Sequence, residues 1–246
     1  MKYLSLVTLA LVACGIPKQN QQQHPRDGFQ YEVGGEVVAI VYETNSSQPN
    51  TVDIAIQVNE HHFEVGVSSE SGLQNMDGHG AVLSEQERHG LAQAAQEYSK
   101  QQNVTDDSSL EEKSLYLVFD YLSQAPDDYA FPSRNYHSIN LANEGISCIK
   151  KGALVKAQWN TRATSYVAED IVVGVNWPNS YGCMGRCGGD CGWGPPSAWT
   201  KDCLDHDACS YRNNASGGAS DPNCGDEFNE AADDWLSGVL VGCSGR

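Results

Sequence analysis

Cysteine placement constrains this chain more than any other feature. Nine cysteines stand in 246 residues, one at Cys14 and eight at Cys148, Cys183, Cys187, Cys191, Cys203, Cys209, Cys224 and Cys243. Seven of those eight lie beyond residue 180. With Cys14 set apart, an even number in an exported chain predicts four disulfides rather than free thiols, and so a stapled module at the C-terminal end. The runner-up is a structural Zn²⁺ site. Cys183, Cys187 and Cys191, with Cys203, His206 and Cys209, have ligand types that zinc accepts. The even count and an oxidising compartment favour disulfides.

The first residues explain why Cys14 is set apart. Lys2 gives a positive start, and Leu4 to Ala13 is a short apolar run of the kind found in secretory signals. It ends in Leu11-Val12-Ala13-Cys14-Gly15, which resembles the lipobox of bacterial lipoproteins. The resemblance implies a signal peptide over 1–13, lipidation of Cys14 and attachment in the bacterial cell envelope. Gly15 in place of an Asp points to the outer membrane. Two or more acyl chains hold a protein on a membrane stably, whereas one gives marginal binding. Residues 14–28 then form a lipidated Cys and flexible tether, since Pro17 to Gly28 offers almost nothing to a core.

Charge narrows the partners. The chain has 32 acidic and 15 basic side chains, a net charge of −17, and loss of residues 1–13 removes Lys2 to leave −18. Such a chain lacks the clustered Lys and Arg that hold a protein on nucleic acid, so no nucleic-acid partner is expected. It repels anionic lipid unless divalent cations intervene. A 40% apolar content supplies one large core or two modest ones. Beyond the first fourteen residues, no apolar run approaches the roughly 18 that a spanning helix needs.

Residues 29–68 alternate with β-branched and aromatic types, among them Val38, Ile40, Ile54, Ile56, Phe63 and Val65. Breaks at 45–50 and 59–62 predict a three-stranded meander. Ser84 with Glu87 reads as a capping box opening a helix to about Gln102, despite Gly90 inside it. Ser108 with Glu111 repeats the signal for a second helix, with Leu115, Val118 and Leu122 on its buried face. Strands return at 153–159 and 165–175. Adjacent His61 and His62 point to opposite faces of a strand and cannot easily share an ion. His79, His89 and His137 sit among polar neighbours and read as ordinary surface residues.

The chemistry concentrates in 181–209. Cys203-x-x-His206-Asp207-x-Cys209 falls on a helix expected after Pro195-Pro196, where His206 and Asp207 point in neighbouring directions. A glycine-rich loop precedes it. Loop carbonyls with an Asp carboxylate suit a hard cation such as Ca²⁺.

This segment resembles the secreted phospholipase A2 family over roughly residues 179–243. The CxxHDxC hallmark is present as Cys203, His206, Asp207 and Cys209. The YGC…CG calcium loop is present as Tyr181, Gly182 and Cys183, then Cys187 and Gly188. The resemblance implies that His206 is the general base and that Asp207 binds Ca²⁺ with the carbonyls of Arg186, Gly188 and Asp190. It makes the Gly188 N–H the oxyanion donor and a phospholipid the substrate. It implies disulfides Cys187–Cys203, Cys209–Cys224 and Cys183–Cys243, leaving Cys148 to pair with Cys191.

The chain departs from the family pattern at named places. Gly185-Arg186 is inserted between the loop cysteines, and Asp202 stands where the family has a second cysteine. Ser210 replaces the tyrosine four residues after the histidine, and Gly225 follows Cys224 where the family has the aspartate that orients the histidine. Asp226 is the best candidate for that aspartate and Asp233 the second. Both, with Glu230, lie opposite the apolar stripe Phe228, Ala232, Trp235 and Val239, which is the pattern of a solvated helix face.

The expected fold class is α+β. An N-terminal β-meander with helices occupies 29–150, its role and protein partner unknown. A strand pair and a mainly helical disulfide module occupy 151–246. The expected function is Ca²⁺-dependent hydrolysis of the sn-2 ester of glycerophospholipids by a membrane-anchored lipoprotein. Two readings from other classes stand beside it, a non-catalytic surface binding module and a structural envelope lipoprotein.

Overall fold

The structure is a computed structural model and describes residues 27–46, 48–69, 72–131, 134–135, 145–176, 183–188, 197–215, 221–240 and 242–243. The N-terminal sheet is an antiparallel meander in sequence order. Its strands are β1 (Asp27–Val33), β2 (Glu36–Asn45), β3 (Thr51–Val58), β4 (His61–Ser68), β5 (Gly72–Asp77) and the short β6 (Arg134–Asn135). Three strands were expected over 29–68, and four are present across that stretch. The break that splits them is Gly34-Gly35, whose φ values of 62° and 86° close a two-residue hairpin with Val33 opposite Glu36. Only residues tolerant of positive φ make such a turn, and glycine does so freely.

Two helices cover the inner face of this sheet. Helix α1 (Glu85–Gln102) begins at the expected capping box, with Ser84 accepting from Glu87 N–H and Glu87 accepting from Ser84 N–H. Gly90 is explained by packing. A Cβ there would sit 2.7 Å from Val38 Cγ1, so α1 approaches β2 more closely than alanine would allow. Helix α2 (Leu110–Ser123) is capped by Ser109 with Glu112, one residue later than the expected Ser108 and Glu111. Ser108 instead accepts from Thr105 N–H through its hydroxyl. Ile40, Ile56 and Phe63 from the sheet are fully buried with Leu91, Phe119 and Leu122 from the helices. Each such side chain contributes roughly 1.5–3 kcal/mol of apolar burial.

The C-terminal half adds the hairpin β7 (Leu154–Thr161) and β8 (Thr164–Val172), then helices α3 (Lys201–Asn213) and α4 (Gly225–Ser237). Ala157, Trp159, Ile171 and Val173 of the hairpin region pack with Leu204 and Ala208 of α3 in a small core of their own. Helix α4 belongs to the large N-terminal core instead. Phe228, Ala231, Ala232 and Leu236 are buried in the same cluster as the sheet and α2. The Phe228 ring meets Tyr129 edge-on at 5.6 Å, and the Trp235 ring meets Tyr121 at 5.7 Å. Helices α3 and α4 pack on each other, so α3 is held between the hairpin and α4.

Three disulfides lie among the described residues. Cys187–Cys203 and Cys209–Cys224 are two of the pairs implied by the family resemblance. The other implied pairs are corrected, because Cys148 bonds Cys243. Cys183–Cys243 and Cys148–Cys191 are thereby excluded. The cause is a short antiparallel ladder around 197–200: Ile149 N–H donates to Trp199 O, and Trp199 N–H donates to Cys243 O. Both cysteines are thus brought to the same segment from opposite ends of the module. Cys183 is also disulfide-bonded. Cys14 and tether residues 15–26, with Tyr181, Gly182, Asp190, Cys191 and His137, lie outside the described residues, and Asp27 and Gly28, expected to end the tether, instead begin β1 paired with Tyr42 and Val41.

Candidate active site

Helix α3 starts at Thr200, whose hydroxyl accepts from Cys203 N–H, and ends at Asn214 in the left-handed conformation. Cys203 and Cys209 fasten its buried side to the 183–188 loop and to α4. His206 and Asp207 are left on its less buried side, with 19% and 15% of their side chains exposed. His206 Nδ1 lies 4.0 Å from Asp207 Oδ1. His206 Nε2 lies 3.4 Å from the hydroxyl of Ser210, one turn on, and the imidazole meets the Phe228 ring edge-on at 5.6 Å. The structure therefore puts Ser210 at the nitrogen that faces away from Asp207.

Asp207 faces the loop. Its Oδ2 accepts from Gly185 N–H at 2.7 Å. Gly185 has φ 88°, and a Cβ there would lie 2.7 Å from Ile149 Cδ1, so both the backbone conformation and the close approach require glycine. The inserted Gly185-Arg186 thus serves to bring a backbone donor onto the helix aspartate. Burial pushes the Asp207 pKa well up, and among the described groups only the Gly185 N–H opposes that shift.

Two neighbouring acids show how the same fold handles a buried carboxylate when it does compensate one. Asp205 accepts from Gln158 N–H at 2.9 Å and pairs with Lys201. Its pKa is raised by burial, with the Lys201 ammonium and the Gln158 N–H working against that rise. Glu227 on α4 accepts from Asn160 N–H at 2.9 Å. Burial, then the adjacent Asp226 carboxyl, pushes its pKa up to about 7, while Asp226 is held below the usual range first by its hydrogen bond with Glu227. The sequence reading passed over Asp205, Glu227 and Ser210. An acid spaced i,i+4 from Lys201 was the available signal for Asp205, the i,i+4 spacing from His206 was the one for Ser210, and nothing local distinguished Glu227.

The remaining expected residues are distributed differently. Asp226 accepts from Asn160 Nδ2 at 2.9 Å, so its carboxylate ties α4 to β7. The side chain of Asp233 lies outside the described residues. Gly188, φ 92°, packs with its Cα side 3.0 Å from Trp235 Cζ2 once a Cβ is drawn, and near Gln124 Nε2. Trp235 Nε1–H in turn donates to Asp120 Oδ2 at 3.1 Å, and Gln124 Nε2 donates to Asp120 Oδ1 at 2.9 Å. The loop therefore touches the helix aspartate at Gly185 and the N-terminal half at Gly188. In the ladder between Arg186 and Trp199, the carbonyl engaged is that of Gly185, which accepts from Thr200 N–H.

Asp207 is a largely buried carboxylate met by one backbone donor, the Gly185 N–H. A withdrawn carboxylate with one backbone donor is a costly arrangement in a protein interior.

A family model described as "Domain of unknown function (DUF8213)" matches residues 144–246. No curated protein and no solved structure matches the chain.

Proposed function

We propose that the chain is a Ca²⁺-dependent phospholipase A2-type ester hydrolase, held in the bacterial cell envelope through a lipidated Cys14 and acting on membrane phospholipid. The observation that carries this reading is the pairing on α3. His206 stands beside Asp207, a largely buried carboxylate whose described compensation is a single N–H from the 183–188 loop.

Asp207, with carbonyls of the loop that includes Arg186 and Gly188, would hold Ca²⁺; when bound, the ion supplies Lewis-acid polarisation of the ester carbonyl and charge for the oxyanion. The rest is the work of the chain's own residues. In this reading His206 carries its proton on Nε2, donated to Ser210 Oγ 3.4 Å away, and uses Nδ1, on the Asp207 side, as the base. Nδ1 then takes a proton from water as that water attacks the sn-2 carbonyl carbon, and returns it to the leaving alcohol oxygen. A hydroxyl stabilises the imidazolium less than a carboxylate does, so a Ser210-backed His206 makes a slower base than the family's aspartate-backed histidine. Phe228 packs against one side of the ring and limits its rotation.

The test is fatty-acid release from mixed phospholipid vesicles by the oxidised protein, in Ca²⁺ and in EDTA, alongside His206→Gln. Release requiring both Ca²⁺ and His206 supports the hydrolase. Release that persists in His206→Gln removes His206 as the base, and no release from any lipid with the disulfides intact moves the reading to a non-catalytic surface module.

A further inference from the structure

The outer face of the meander, opposite the helices, carries a second set of ligating side chains. His62 and Glu64 are two apart on β4 and so share a face, while His61 turns the other way, 3.8 Å from Glu87. β5 pairs antiparallel to β4 with Asp77 opposite Glu64, which brings the turn after β5 alongside. His79 sits in that turn. His79 is exposed, as expected of a surface residue, and one ligating atom from each of His62, Glu64 and His79 falls within 4.8 Å of the others.

The arrangement is held, not incidental. His79 adopts φ 52°, a conformation uncommon for a residue with a Cβ, between Gly78 and Gly80. Asp77 Oδ1 secures it by accepting from His79 N–H at 2.8 Å, and lies 3.4 Å from His79 Nδ1. The His62 and His79 rings stack with centroids 5.9 Å apart. His62 Nε2 and Glu64 Oε1 are 3.3 Å apart, close to the edge, about 3.3 Å, of a tetrahedron around an ion with bonds of about 2.0 Å.

We propose that His62, Glu64 and His79 form a binding site for a first-row divalent transition metal, with Zn²⁺ the reference ion. Two imidazoles and one carboxylate are the donor types such ions select, and they discriminate against Ca²⁺, which takes oxygen alone. Three protein ligands leave coordination open to water or an outside group. Asp77 is the positioning residue behind His79. The site is independent of the α3 pair, so it stands or falls apart from the hydrolase reading.

The test is calorimetric titration of the full oxidised chain with ZnCl₂, for wild type, His62→Gln, Glu64→Gln, His79→Asn and His206→Gln. Asparagine tolerates the left-handed backbone at 79, so that variant removes the ring and keeps the turn. Unchanged unfolding temperatures in EDTA check that each variant is folded. The expected result is one Zn²⁺ per chain in wild type and His206→Gln, weakened about tenfold or more by each of the other three substitutions. Cu²⁺ loaded at the site is expected to show two coupled nitrogens by electron paramagnetic resonance. Zn²⁺ affinity unaffected by His62→Gln and His79→Asn, binding lost in His206→Gln, or no Zn²⁺ binding by wild type would each overturn the proposal.

Discussion

Three acids on α3 and α4 each reach across to a backbone N–H: Asp205 to Gln158, Asp207 to Gly185 and Glu227 to Asn160. They differ in what else balances the charge. Asp205 has Lys201, and Glu227 keeps its proton well above the ordinary carboxylate range. A carboxyl whose pKa is raised on folding contributes most below its unfolded value near 4.3, and that contribution is lost as pH rises toward 7. Glu227→Gln is therefore expected to raise the unfolding temperature at pH 8 and to change it little at pH 4.5. The gain is on the order of 1 kcal/mol after screening by solvent at the adjacent Asp226, and equal shifts at both pH values would refute the assignment. Ser210→Ala is expected to lower kcat about three- to tenfold with KM little changed, since one neutral hydrogen bond is worth about 1 kcal/mol. At this scale the sequence made His206 and Asp207 legible because they are neighbours on one helix. Glu227 and His79 were not, because their partners come from packing across strands and helices.

Periodicity and caps carry the helices and strands, and the errors fall where two signals sit side by side. Ser108 and Ser109 are both followed three residues later by Glu, and the chain uses the second box because Ser108 is spent on Thr105. Gly34-Gly35 is a hairpin signal embedded in a run of strand formers, and it went unread among them. Disulfide partners are an element-level property too. Cys148 and Cys243 meet because both flank the 197–200 segment, which neither spacing nor family pattern contains. Proteolytic mapping without reductant is expected to recover a Cys148–Cys243 cross-linked peptide. Replacing both by alanine is expected to cost roughly 3–5 kcal/mol, as closure of a loop of this length implies, read from denaturant unfolding. A peptide joining Cys148 to Cys191 would contradict the topology.

Across the whole molecule, the division at about residue 150 marks a change in cysteine content more than a break in packing. Helix α4 lends Phe228, Ala231 and Leu236 to the core built by the sheet and α2, and Trp235 donates to Asp120. The isolated segment 144–246 would expose that face, so it is expected to unfold without a sharp transition, whereas the full chain unfolds cooperatively. A sharp calorimetric transition for the segment alone would show that the shared core is dispensable. The α+β class and the N-terminal meander were legible from alternation alone. The shared core was not, since the apolar stripe of α4 does not say which surface it meets.

In the proposed hydrolase, Asp207 would hold a cation beside His206 as the base. The most direct test of that role does not depend on choosing the right lipid, and it is the unfolding temperature of the oxidised chain as Ca²⁺ is raised to millimolar levels, compared with Asp207→Asn. A ligand that binds only the folded state stabilises it by mass action. The expected result is a rise in unfolding temperature for the wild type that Asp207→Asn abolishes, and an unchanged temperature in both proteins would contradict the account.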